Sequence, residues 1–359
     1  MTRDVDIVVV GAGVAGCAAA RALARDGRGV ALLERHTPAG PHGSSHGTSR
    51  IFRLNYPDER YVRLAQAAAE GWRELEAECG EVLQLRTGVV DLGPVALDIA
   101  RALAACGARF EELDGREVTR RFGIAADPHE PALFQPDGGT TLAARACAAF
   151  LAGAQAAGAD VVEDCAVTEM VQERGRVRVE SGAGTILARA VVVTAGAWAP
   201  ALLAPAGIDL PVVPTRETVV YLELEGVESL PPVIDYGRLP APGTAGLARA
   251  GQAGFALAAP GTGLKAGLHH AGAVTDPDDG PAPDPGIAAW AADWARSRFP
   301  RAGDVLGAET CIYTNTADES LVLERHGRIV VGSACSGHGF KFAPSVGRTL
   351  AALAAEAAR

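Results

Sequence analysis

The chain has 359 residues, a net charge of -10, 48% apolar and 21% charged residues, enough apolar material for a large buried core and, by length, about two domains. The acidic balance argues against a nucleic-acid surface or an anionic membrane face as the main partner, and no run approaches the ~18 apolar residues that span a bilayer. Seven cysteines without a CxxC pair point to a reducing cytoplasm and no disulfide framework.

Val5–Val10 reads as a buried parallel strand, and residues 14–26 as a helix closing at Gly27. Residues 29–33 read as a second strand. The acidic start and the glycines in residues 7–20 argue against a signal peptide. A Gly, Ser and His-rich loop covers 39–49, and 61–79 reads as a helix with Leu64, Ala68, Trp72 and Leu75 on one face. Strand pieces follow in 161–179, 186–194 and 212–224. Residues 276–286 read as a solvated loop whose acidic spacing does not suit calcium. A strand at 329–332 and a helix over 346–358 close the chain.

Gly11-Ala-Gly13-Val14-Ala15-Gly16 sits between the first strand and the first helix. Gly11 permits the tight turn, Gly13 lets a pyrophosphate approach the backbone, and Gly16 lets helix pack on strand. The helix start supplies N–H groups and a positive dipole end for phosphate. Glu34 ends the next strand, roughly 20 residues on, where a carboxylate meets ribose hydroxyls. Strand, glycines, helix and acid together make a dinucleotide site; alone they do not separate NAD from FAD.

Further segments are Gly43-Ser44-Ser45-His46-Gly-Thr-Ser-Arg50-Ile-Phe-Arg53, Gly263-Leu-Lys265-Ala-Gly-Leu-His269, Cys311-Ile-Tyr313-Thr314, Thr194-Ala-Gly-Ala-Trp198 and Ser336-Gly337-His-Gly339-Phe340-Lys341-Phe342. In order and spacing they resemble the monomeric sarcosine oxidase and N-methyltryptophan oxidase family of the D-amino-acid oxidase superfamily. The resemblance implies an α/β fold with a discontinuous Rossmann-like FAD-binding domain (1–84, 137–212, 306–359). An antiparallel-sheet-rich substrate domain (85–136, 213–305) completes it. It implies oxidation of a secondary (N-methyl or cyclic) or small primary amino acid to an imine, with oxygen reduced to hydrogen peroxide. The expected partners are that small molecule and oxygen, in a cytoplasmic monomer or weak homodimer without a metal.

By the same resemblance Cys311 bonds covalently to the flavin, His46 and Arg50 lie beside it, and Lys265 activates oxygen. Arg53 and Lys341 hold a substrate carboxylate, with His269, Tyr313 and Phe255 in the pocket. A guanidinium grips both oxygens of an acid, and a fixed ammonium stabilises charge developing on oxygen. The expected FAD contacts are Gly11, Gly13, Val14, Ala15, Gly16, Glu34, Arg35, Ser44, Ser45, Arg50, Val167, Cys311, Gly337, Gly339, Phe340 and Lys341.

The sequence departs from the family where a pocket tyrosine is usual. The position reads Gly254, followed by Phe255, and neither supplies a hydroxyl. The family's longer tail after the last helix is also missing, which would open one side of the site. Three other functions stay open at this point. They are a flavin oxidase that desaturates or aromatises a cyclic imino acid, an NAD-dependent dehydrogenase, and a flavin-bearing binding protein without catalysis.

Overall fold

The computed structural model describes residues 3–237 and 253–359; residues 238–252, inside the expected substrate-domain range, lie outside the described residues. Strand Arg3–Val10 pairs in parallel with Val30–Leu33 on one side and Gly184–Val193 on the other. Ile7 to Val10 are therefore buried on both faces, as an uninterrupted β-branched run requires. Asp160–Val162 and Ile329–Ser333 extend the parallel part, and antiparallel strands Val167–Glu173, Arg176–Ser181 and Val322–His326 complete eight strands among the described residues.

Helices Val14–Arg25, Ala143–Ala156 and Ala343–Ala357 cover this sheet. Small residues set how closely they approach: a Cβ on Gly347 would lie 2.6 Å from the Ala18 backbone. The last helix starts at Ala343, earlier than its apolar period indicates, because Pro344 suits a first turn.

Among the described residues a second sheet has nine strands. Val213–Leu222 is a single long strand between Gly263–Leu268 and Val305–Asn315. Gly254–Ala259, Val233–Asp235, Val89–Leu92, Pro131–Gln135 and Glu111–Asp114 follow outward. The strand that carries Cys311 thus belongs to this second sheet. Helix Pro285–Arg298, which sequence patterning did not reveal, begins where the 276–286 loop ends, with Asp284 accepting from Gly286 N and Ile287 N. Its Arg298 is fully buried. It donates to Asp235 Oδ2 (2.7 Å) and to both Glu130 oxygens (2.8 Å each), tying helix, loop and sheet together. A small sheet of Ser49–Phe52, Gly139–Leu142 and Gln84–Leu85 bridges the halves. Among the described residues no helix is long and apolar enough to cross a membrane.

Candidate active site

A cavity of about 510 Å³ runs from the first glycine turn to the second sheet. Its walls include Gly11, Gly13, Val14, Ala15, Glu34, Arg35, Ser44, Ser45, Arg50, Val167, Cys311, Tyr313, Gly337, Gly339 and Phe340. Fifteen residues singled out from the sequence, drawn from both sheets, thus face one space. Gly16 and Lys341 do not line it. Gly16 sits behind the turn, where a Cβ would lie 1.9 Å from Gly11 O. Gly11 itself has φ +95°, open to glycine but strained for other residues, with Thr194 Oγ1 donating to its carbonyl at 2.9 Å.

Two details modify the phosphate reading. Val14 N–H donates to Ser45 Oγ (3.0 Å), so Ser45 caps the helix start. Glu34 accepts from Ala12 N (2.7 Å) and His36 N (3.0 Å), which aims its carboxylate from the strand end into the cavity wall. The 276–286 loop is not simply solvated. Asp278 lines the cavity and accepts from Arg35 Nη1 (3.1 Å) and Trp198 Nε1 (2.9 Å). The glycine cradle, the helix start and the cavity's size suit an elongated dinucleotide such as FAD.

Around Cys311 the loop 43–50 folds onto the second sheet. Arg50 lies over the Phe340 ring and donates to the carbonyls of Ser44, His46 and Ser49 at 2.7 to 2.8 Å. Both His46 nitrogens face carbonyls, Gly43 O (2.7 Å) and Thr310 O (3.0 Å). The two carbonyls favour a cation, yet burial outweighs them and lowers its pKa. His46 therefore pins the loop to the Cys311 strand outside the cavity wall, and Arg50 is the cation that lines it. Burial also raises the Cys311 thiol above its usual value, against the pull of Arg50 and Lys265.

Lys265 is buried on strand Gly263–Leu268, opposite Tyr221 and Leu257. Its Nζ reaches Ser49 O at 3.4 Å, and burial, then Arg50, push it down to about 7. His269 lies just beyond that strand, its Nδ1 3.3 Å from Tyr313 Oη, and burial keeps it neutral. Phe255 shares the Lys265 face. Gly254 points the other way: a Cβ there would lie 2.5 Å from the Trp294 ring. No pocket hydroxyl can come from that position.

Hydroxyls come instead from Tyr236 and Tyr56, which sequence reasoning missed. Arg53 Nη1 donates to Tyr236 Oη and Asn55 O (2.9 Å each) and to the fully buried Asp91 (3.5 Å), and its guanidinium lies 4.6 Å over the Tyr56 ring. Lys341 is buried beside it and donates to His338 O (2.8 Å). Burial, then the Arg53 charge, hold Lys341 far below a free ammonium. His338 Nε2 faces Glu319 O at 2.9 Å, so that nitrogen carries the proton and Nδ1 accepts from Tyr56 Oη at 3.0 Å. The lone acid within the apolar run Val89-Val-Asp-Leu92 was a readable signal; the Tyr56–His338 pair was not. The fold also places donor atoms of His269, His270 and Glu319 within 4.8 Å of one another, a grouping that spacing had not indicated.

A sequence profile described as DAO, FAD dependent oxidoreductase, matches residues 6–353. The chain belongs to this family. The oxidoreductase is 31% identical to monomeric sarcosine oxidase of Bacillus sp. (strain B-0618), over 99% of this chain and 93% of that protein. It is also 31% identical to N-methyl-L-tryptophan oxidase of Salmonella arizonae, over 98% and 95%. Its fold is similar to the open form of the Tyr258Phe mutant of NikD, described as an unusual amino acid oxidase essential for nikkomycin biosynthesis. That match has a TM-score of 0.88 at 28% identity, over 99% of this chain and 94% of the other. The family membership overturns the NAD-dependent reading.

Proposed function

We propose that the protein oxidises a secondary (N-methyl or cyclic) or small primary amino acid to its imine, using FAD and producing hydrogen peroxide. The observation that carries this reading is the grouping of half-buried Arg53 with buried Lys341, and of buried Lys265 with Cys311. Likeness to two N-methyl amino acid oxidases supports it.

When bound along Gly11, Gly13, Glu34 and Gly337, FAD would supply the two-electron acceptor chemistry that links the substrate to oxygen. The protein supplies the rest. Arg53 and Lys341 hold the substrate acid, and an incoming carboxylate gives Lys341 the counter-charge that burial denies it. Neutral His269 holds by hydrogen bond and leaves the amine lone pair undisturbed. Lys265 offers a fixed cation where oxygen takes on charge. The substrate loses two electrons and two protons, oxygen gains both, and water hydrolyses the imine. Cys311, near Arg50 and Lys265, is the residue that would tether the cofactor.

A peroxide assay across N-methyl, cyclic and primary amino acids tests the reading; no peroxide with any of them refutes it. The NikD likeness favours a second reaction, desaturation of a cyclic imino acid. That reaction gives more than one peroxide per substrate and an aromatic product, whereas a single oxidation gives one.

A further inference from the structure

Asp91 lies in the middle of the second sheet, opposite Leu133 and Ile234, with no exposed surface. A buried carboxylate in an apolar strand is costly unless it is paired. Here Oδ1 meets Arg53 Nη1 at 3.5 Å and Oδ2 accepts from the Asn55 side-chain amide. The hydrogen bonds from Arg53 to Asn55 O, Asp91 and Tyr236 all leave from Nη1, which fixes that side of the guanidinium. With a carboxylate bound at neutral pH, charge at this end reads Arg53 and Lys341 positive and Asp91, raised by burial only to about 6, negative. Glu319 also reaches it, but its side chain is 53% exposed and pairs with His270 at 3.3 Å, so water screens it.

We propose that Asp91 is a positioning residue that anchors Arg53 and cancels one of the two positive charges, so that the site prefers ligands with a single carboxylate over those with two. One acid leaves the buried end neutral. A second acid enters without a counter-ion and is repelled by Asp91 in a low-dielectric setting. The inference rests on the reading of Arg53 and Lys341 as the acid-binding pair.

The test titrates acetate and malonate into the purified holoenzyme and follows the flavin absorbance. Asp91→Asn keeps the shape, because the Asn55 amide can turn and present its Oδ1, which has no partner among the described residues. The expected result is that the wild type prefers acetate and that Asp91→Asn loses about tenfold of that preference. Asp91→Glu keeps the charge, so it should weaken both ligands together and hold the preference. A merely structural role would lower the melting temperature and scale both affinities equally. An unchanged preference in folded, flavin-loaded Asp91→Asn overturns the proposal. If that variant does not fold, a preference lost in Asp91→Glu overturns it instead. Failure of acetate to bind the wild type would sink the acid-binding reading itself, and this inference with it.

Discussion

Replacing Lys265 with Met separates charge from shape, since the two side chains have similar length. Burial lowers the Lys265 pKa from 10.5 to about 7, which corresponds to about 5 kcal/mol against carrying the charge in the folded protein. The unfolded chain therefore holds the extra proton between pH 7 and 10.5, and the wild type is penalised most below that window, least above it. Lys265→Met removes the penalty, so it should melt higher than the wild type at pH 7, with the difference closing by pH 10.5. The same change should slow reoxidation of the reduced enzyme by oxygen by on the order of 10²-fold, the scale of losing one preorganised charge-stabilising group. Reduction by substrate should change far less. Differential scanning calorimetry across pH and stopped-flow absorbance in each half-reaction check the two parts. A variant that melts lower at pH 7, or that loses both half-reactions equally, refutes the role of a costly cation retained for oxygen.

Acid precipitation should leave the yellow colour in the protein pellet of the wild type and release it from Cys311→Ser; free flavin from the wild type would remove Cys311 from its role. His338 is lowered by burial to about 4, so stability held above pH 6.5 should be lost as pH falls toward 4, by about 3 kcal/mol. His338→Asn should flatten that acid limb in denaturant titrations, and an unchanged limb would show that other groups carry it. Gly254→Ala drives a methyl into the Trp294 ring and should cost roughly 1–3 kcal/mol in unfolding free energy, recovered in part by Trp294→Phe. Arg298→Met removes the buried cation that bridges Asp235 and Glu130 and should cost about 3–5 kcal/mol; adding Asp235→Asn should recover part of it, and strict additivity would deny the coupling.

The glycine turn was legible because its chemistry is local. Strand, turn and helix are contiguous, and Glu34 follows on the next strand, so spacing alone carries the site. Motif resemblance likewise brought Arg50, Cys311, Gly337 and Phe340 to one cavity. Other assignments depended on packing. Phe255 and Gly254 are neighbours in sequence, yet strand pleating sends them to opposite faces, and only the Trp294 ring shows why glycine stands there. His46 faces carbonyls at both nitrogens, which favour a cation, yet burial lowers its pKa, a balance that only the packed loop sets. The least local part is the cluster around Arg53: Arg53, Asp91, Tyr236 and Lys341 come from four distant segments, and their charges depend on shared burial. Sequence alone determined a dinucleotide fold and the residue types of a flavin oxidase. Tertiary structure decided which of those groups are charged and which are only props, because desolvation and pairing are properties of the packed site and not of any one segment.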